Sequence, residues 1–558
     1  MKSNSFRGIK GRFASNRRLL TVILTVFWTV MVWLSCVDAH AQTPQVAWIR
    51  QSGPVGPNSS LVGRSPIDSA GNLYSVTIYN SSTFSFGGFT VTNLSTPTSG
   101  FSLENDVFVS KYDSAGNVLW LRGIGGNSWD EAWGCAPDMA GNVYVTGGTF
   151  STNMVLGNTA FASRGRWDCF LVKYDAQGNI LWSRQAGGSD DESESRVATD
   201  RDGNALVVCN FSSTNLIVGT NLLSCPDGSS LFLAKYSATG DVAWVRQINT
   251  HTRSICSVQL DGAGNIYVSG DFYPTAEFGN ATLSTSATGV FIAKYDSAGN
   301  LLWARQAASG SSLVSTDMAV DLQGNSYLTG IFSADAVIGT NAFSHVGEED
   351  TFVVKLDSGG NFVWARAITG TRMEMPCAVG VDGFGNCYVT GNSYSAIINF
   401  GGVAVTNNGP LFPKSEFYPF IVKYESGGQL LWYKTLPSPH VENILSIGGV
   451  DFWGNVYLGG KVEALTNVFQ MDGFSLGCSV DMTYYFSKIN GPQLSAAATN
   501  NQLLISWPTN AVGLHLESAN IMSGPWLAVT NTPVLSGEQN TVTFGTSSDS
   551  QFFRLNGP

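Results

Sequence analysis

Lys111-Tyr112-Asp113-Ser114-Ala115-Gly116-Asn117-Val118-Leu119-Trp120 writes a strand end, a tight turn and a strand start in ten residues. Asp opens a type I turn, where its carboxylate accepts backbone N–H groups. Gly supplies the left-handed residue that closes the loop, and the flanking apolar residues alternate as in half-buried strands. Relatives of this stretch end at Trp182, Trp244, Trp303, Trp364 and Trp432. The turn is altered to Ser237-Ala238-Thr239-Gly240-Asp241 once and to Glu425-Ser426-Gly427-Gly428-Gln429 once.

A second pattern, D-x-x-G-N, falls between these copies. It begins at Asp68, Asp138, Asp200, Asp261, Asp321, Asp382 and Asp451, at spacings of 70, 62, 61, 60, 61 and 69 residues. Each repeat therefore holds two hairpins, or four strands. For the repeat of Asp321 the expected strands are Met318–Asp321, Ser326–Phe332, Thr351–Leu356 and Phe362–Arg366. Seven four-stranded units in a row predict an all-β fold, a seven-bladed β-propeller. The seventh unit has a third strand near Tyr484–Ile489 but no Gly-Asn-x-Leu-Trp after it. The missing ending stands at the other end of the chain, in Gln45-Val46-Ala47-Trp48-Ile49-Arg50. The N-terminal strand is expected to complete the last blade and close the ring, removing the exposed edges of an open array.

The repeated F-V-x-K-Y-D-x-x-G-N-x-L-W and V-D-x-x-G-N-x-Y-V-T-G resemble the SBBP-type bacterial β-propeller repeat over about residues 45–491. The resemblance implies a secreted or surface propeller and implies no common catalytic activity.

The ends of the chain read differently. Residues 1–18 carry six basic residues and no acid, Leu19 to Val37 are mostly apolar, and Ala39-His40-Ala41 supplies small residues for a peptidase. This predicts a signal peptide over residues 1–41 and no membrane span once it is cleaved. The propeller is then expected over 42–491. Residues 492–558, with runs such as Leu503-Leu504-Ile505-Ser506-Trp507, predict a small β-sandwich of five or six strands, similar to fibronectin-like modules.

Composition narrows the function. Charged residues are 13% of the chain, against a usual ~25%, while 43% are hydrophobic and 12% aromatic, which excludes a disordered chain. Without residues 1–41 there are 24 basic and 40 acidic residues, a net charge of −16. Such a surface repels phosphate backbones, so no nucleic acid partner is expected. Eight cysteines remain, irregularly spaced with no C-x-x-C pair, and their pairing does not follow from the sequence.

Residues that recur in every blade, including the arginines of Trp-x-Arg, are expected to build blades. Binding is expected in loops on the face opposite the D-x-x-G-N turns. The strand-two-to-three loops there include Phe86-Gly87-Gly88, Phe278-Gly279-Asn280 and Phe400-Gly401-Gly402. The inter-blade loops carry the candidate ligand-binding residues: Trp129, Asp130, Glu131 and Trp133; Asp190, Asp191 and Glu192; His251 with Arg253; Arg372 with Glu374; and His440 with Glu442. The expectation is a polar pocket with aromatic stacking surfaces, suited to a polysaccharide or a protein at the cell surface. Asp190 to Glu194 offers oxygen ligands but lacks EF-hand spacing, and no zinc-ligand spacing occurs. No metal or cofactor is expected, and no catalytic motif is found. The leading reading is an exported, non-catalytic binding scaffold. Two alternatives stand beside it. One is a propeller enzyme, quinoprotein-like or acting on glycans, although an adjacent Cys-Cys pair and an exact Asp-box are missing. The other is a purely structural envelope protein.

Overall fold

The computed structural model describes residues 46–54, 65–95, 104–226, 228–251, 255–406, 418–435, 446–452, 454–462, 468–471, 474–477 and 483–491, then 495–499, 502–508, 515–519, 527–536, 539–545 and 552–556. The expected signal peptide lies outside them. The described residues are all-β, with no helix long and apolar enough to cross a membrane. Residues 43–492 make one compact unit.

Within that unit the repeats become antiparallel sheets of consecutive strands. The first sheet holds Leu73–Tyr79, Asp106–Tyr112 and Val118–Ile124, with Ile67 bridged to Leu73. The second holds Asp130–Pro137, Val143–Thr149, Asp168–Tyr174 and Ile180–Gly187. The third holds Glu192–Thr199, Ala205–Phe211, Ser230–Tyr236 and Val242–Ile248. The fourth begins at Ile255–Leu260, the fifth at Leu313–Val320 and the sixth at Glu374–Val381, each continuing in the same order. In the last sheet Ser446–Val450, Val456–Val462 and Thr483–Ile489 are joined by Val46–Pro54, which pairs antiparallel with Thr483–Ile489. The fifth sheet uses Leu313–Val320, Ser326–Phe332, Asp350–Leu356 and Phe362–Thr369. Its strands keep the expected order but run further at the end away from the turns.

The turns fold as their residues dictate. Asp138 Oδ1 accepts from the backbone N–H of Ala140 and Asn142, and Oδ2 accepts from the Asn142 side chain. Asp200, Asp261, Asp321 and Asp382 repeat this pattern. Gly178, at φ +80°, is needed twice over. It takes the left-handed turn position, and a Cβ there would lie 2.9 Å from the Trp120 ring.

That second role explains the other repeated residues, which fasten each sheet to the next. Trp120 Nε1 donates to the Ala176 carbonyl (3.1 Å), Arg122 Nε to Gly178 (2.8 Å) and Arg122 Nη2 to Gln177 (3.0 Å). Trp182 with Arg184 reaches Ala238 and Gly240 in the same way, and Trp364 reaches Ser426. From the last sheet, Trp48 reaches Ser114 (3.0 Å) and Arg50 reaches Ala115 (2.9 Å) in the first. Tyr74 and Tyr327 donate to Gly141 and Gly385 of the following turns. Buried lysines pair with the turn carboxylates, as in Lys173–Asp138 (3.3 Å) and Lys423–Asp382 (3.2 Å).

The cores lie between sheets. One cluster joins Tyr74, Val76 and Val109 of the first sheet to Val143, Val145 and Phe170 of the second, and similar clusters follow at each later junction. Another joins Trp48, Tyr457 and Phe486 of the last sheet to Leu73, Phe108 and Tyr112 of the first.

The strand-two-to-three connections are corrected by the structure. They are short β-hairpins rather than open loops. Thr83–Phe86 pairs with Phe89–Thr92, and Leu216–Val218 with Asn221–Leu223, the latter added to the edge of the second sheet. Apolar residues at alternate positions, such as Phe84 and Phe86, are buried in place of being offered to a ligand.

The described residues of 495–556 form two sheets. One holds Ser495–Thr499, Gln502–Pro508, Gln539–Gly545 and Val534–Ser536. The other holds Leu527–Ala528, His515–Ala519 and Phe552–Asn556. Ile505, Trp507 and Val542 of the first meet Leu516 and Phe553 of the second in one core. The strands number seven among the described residues, above the expected five or six, because the edges are strands of only two and three residues.

Candidate functional site

The end of the sheets away from the turns carries most of the candidate residues. Trp129 is 46% exposed, just before the strand Asp130–Pro137. Its carbonyl accepts from the Phe150 N–H (2.8 Å). Phe150 packs edge-on against Trp167 at 4.4 Å, and Trp167 lies 5.6 Å from Trp133. Gly148 permits this gathering, since a Cβ there would fall 2.1 Å from the Trp133 ring. Trp133 itself occupies a β-bulge between Ala132 and Gly134. Its Nε1 donates to Glu131 Oε2 (3.4 Å), and Asn105 donates to Glu131 Oε1 (3.5 Å). Burial raises the Glu131 carboxyl above its ordinary value.

The segment before Asp168 links this cluster to the acidic candidates. Glu192 N–H donates to the Trp167 carbonyl (2.7 Å), Arg166 N–H donates to Asp190 (3.3 Å), and the Arg166 guanidinium lies 3.6 Å from the Asp191 carboxylate. The structure thus brings together Trp129, Glu131, Trp133 and Asp190 to Glu192. It places the others elsewhere. His251 is exposed at φ +58° between the third and fourth sheets. Arg372 stacks on Tyr394 at 5.4 Å and, with Glu374, belongs to the junction of the fifth and sixth sheets. Arg253, His440 and Glu442 lie outside the described residues.

Asp130, Glu192 and Glu374 are corrected: they do not line an open pocket. All three are fully buried at strand starts, each eight residues before a turn Asp, so they occupy one repeated position. Each has a carboxyl partner 24 residues earlier across the junction, in Asp106, Asp168 and Asp350. The backbone fixes each pair, since Asp130 and Glu374 N–H donate to Asn105 and Glu349, just as Glu192 does to Trp167. Gly125 and Gly187 make room for the partners; a Cβ at Gly187 would fall 1.9 Å from Asp168 Oδ2. Burial pushes Asp106 to about 8, Asp130 to about 6, and Glu192 and Glu374 to about 7, and repulsion from Asp130, Asp168 and Asp350 adds to the rise at Asp106, Glu192 and Glu374. Asp168 and Asp350 are raised by burial as well.

Reading the sequence missed Asp106, Asp168, Asp350, Trp167 and Phe150. The fixed spacing of 24 residues was the signal for the first three. Nothing short of the fold joins Trp167 and Phe150 to Trp133. Among the described residues no cluster of three or more His, Cys, Asp or Glu is arranged to hold a metal ion. The arrangement offers ring faces for stacking and a half-buried carboxyl for hydrogen bonding.

No family model matches the chain. It is 26% identical over 369 residues to an uncharacterized WD repeat-containing protein of Acanthamoeba polyphaga mimivirus, covering 52% of this chain and 26% of that protein. It is 29% identical over 144 residues to the regulatory protein FlaEY of Caulobacter vibrioides, covering 25% of this chain and 15% of that one. The chain thus spans about a quarter or less of the length of these curated relatives. Among solved structures it is similar to polysaccharide lyase Uly1, at 11% identity and a TM-score of 0.38 over 82% of this chain and 94% of that one. It is also similar to the WD40 domain of Neurospora crassa Pan2, at 9% identity and a TM-score of 0.28 over 62% of this chain and 94% of that one.

Proposed function

We propose that this chain is an exported, non-catalytic propeller of the SBBP-repeat type, with seven blades closed by the N-terminal strand, which binds a polysaccharide at the cell surface or outside the cell. Closure is supported by the pairing of Val46–Pro54 with Thr483–Ile489 and by the cluster joining Trp48 and Phe486 to Leu73 and Phe108. Export is supported by the basic, then apolar, then small-residue order of residues 1–41. The observation that carries the binding reading is the exposed Trp129 beside the Phe150–Trp167–Trp133 cluster and Glu131. An aromatic face with a few fixed polar groups suits the apolar faces and hydroxyls of sugars.

Affinity electrophoresis of residues 42–558 through gels cast with different polysaccharides tests this. Retardation by at least one polymer is expected, and Trp129→Ala is expected to weaken it about tenfold, equivalent to ~1.4 kcal/mol, with the thermal midpoint unchanged. Retardation that survives Trp129→Ala would reject this face. No retardation in any gel, with a protein recovered by crosslinking, would replace the sugar by a protein partner.

A further inference from the structure

In the second, fifth and sixth sheets the fifth residue of the second strand is glycine: Gly147, Gly330 and Gly391. Each faces a phenylalanine of the third strand, Phe170, Phe352 or Phe420. None has room for a side chain. A Cβ at Gly147 would fall 2.0 Å from the Glu131 carbonyl oxygen, at Gly330 2.2 Å from that of Val314, and at Gly391 2.4 Å from that of Met375. The third sheet puts Cys209 in this register, facing Phe232. The neighbouring strand gives way. Its pairing jumps from Ser193–Asn210 to Arg196–Val208, and Glu194 is forced to φ +55°, one of two non-glycine residues in that region among the described residues. A left-handed glutamate costs backbone energy.

Across the junction a second departure meets the first. The strand residue after Asp106, Ser230 and Asp350 is Val107, Leu231 and Thr351; after Asp168 it is Cys169. Both cysteines are free thiols in the structure, both are buried, and both lie in the core between the second and third sheets, close enough to perturb each other's ionisation. Thr146 Oγ1, 3.7 Å from Cys169 Sγ, and Ser195 Oγ, 2.7 Å from Thr146 Oγ1, surround them.

We propose that Cys169 and Cys209 form a disulfide that staples the second sheet to the third. The oxidant is an external disulfide such as glutathione disulfide, acting before the junction seals. The Cys169 thiolate attacks one glutathione sulfur, breaking that S–S bond and releasing one glutathione thiolate. The Cys209 thiolate then attacks the Cys169 sulfur of the mixed disulfide, releasing the second. The protein loses two electrons and two thiol protons, and the glutathione disulfide is reduced to two thiols.

The test is a non-reducing peptide map of the full chain produced in an oxidising compartment, denatured and quenched with N-ethylmaleimide. A peptide pair linked through Cys169 and Cys209 is expected. Dithiothreitol is expected to lower the thermal midpoint of the wild type and to leave C169V unmoved. C169V and C209G install residues that other sheets already carry at these positions, so folding does not depend on the bond. N-ethylmaleimide on both cysteines in the wild-type map, or a link from either to Cys225, would overturn the proposal.

Discussion

Asp106, Asp130, Glu192 and Glu374 hold their protons more tightly in the folded chain, at about 6 to about 8, than the ~4 of unfolded carboxyls. Their contribution to stability is complete below about pH 4 and is lost as pH rises through about 6–8. Turn carboxylates such as Asp200 and Asp261 act in the opposite sense. At Asp200, burial is outweighed by hydrogen bonds from Lys235 and Asn204, and its pKa is lowered. Its contribution is lost as pH falls below about 4. Stability is therefore expected to peak near pH 4, and the urea midpoint to fall from about pH 4 to about pH 8. Asp106→Asn is expected to flatten the upper part of that fall; an unchanged slope would mean that Asp106 ionises without cost. The turn carboxylates were legible in the sequence because D-x-x-G-N prescribes their hydrogen bonds locally. The junction carboxyls were not, because an acid in a short connecting segment reads as solvated until the neighbouring sheet is known to cover it.

At the scale of the element, strand order and turn position followed from alternation and from Gly after Asp. The bulge in each first strand did not. It arises where the carbonyl of that strand crowds the second strand, and glycine at 147, 330 and 391 is the answer to that crowding. Gly147→Ala is accordingly expected to destabilise the chain by ~2–3 kcal/mol, read from the urea midpoint. Gly88→Ala, at a hairpin tip with open space around it, is the comparison that isolates backbone strain from overlap. Equal losses in the two variants would show that overlap at Gly147 is relieved cheaply. The short outer hairpins escaped the sequence reading because strands of three or four residues carry too little alternation to register.

For the whole molecule, the pairing of Val46–Pro54 with Thr483–Ile489 predicts what truncation does. A chain starting after Pro54 leaves Thr483–Ile489 with one partner strand and takes Trp48 and Arg50 from the Ser114 and Ala115 carbonyls. Limited proteolysis is expected to cut it first within residues 446–491, at protease levels the full chain survives; equal resistance would show that the N-terminal strand is dispensable. The fastenings between sheets also share one direction. Trp120 and Arg122 reach forward into the next unit, as Trp182 and Arg184 do into theirs. Each of these units thus carries both a plug and a socket. A tandem duplication of one repeat would arrive with its interfaces already matched on both sides, so the gene could lengthen or shorten by whole units without inventing a new contact. Only the angle at which the wedges meet would set where such growth stops.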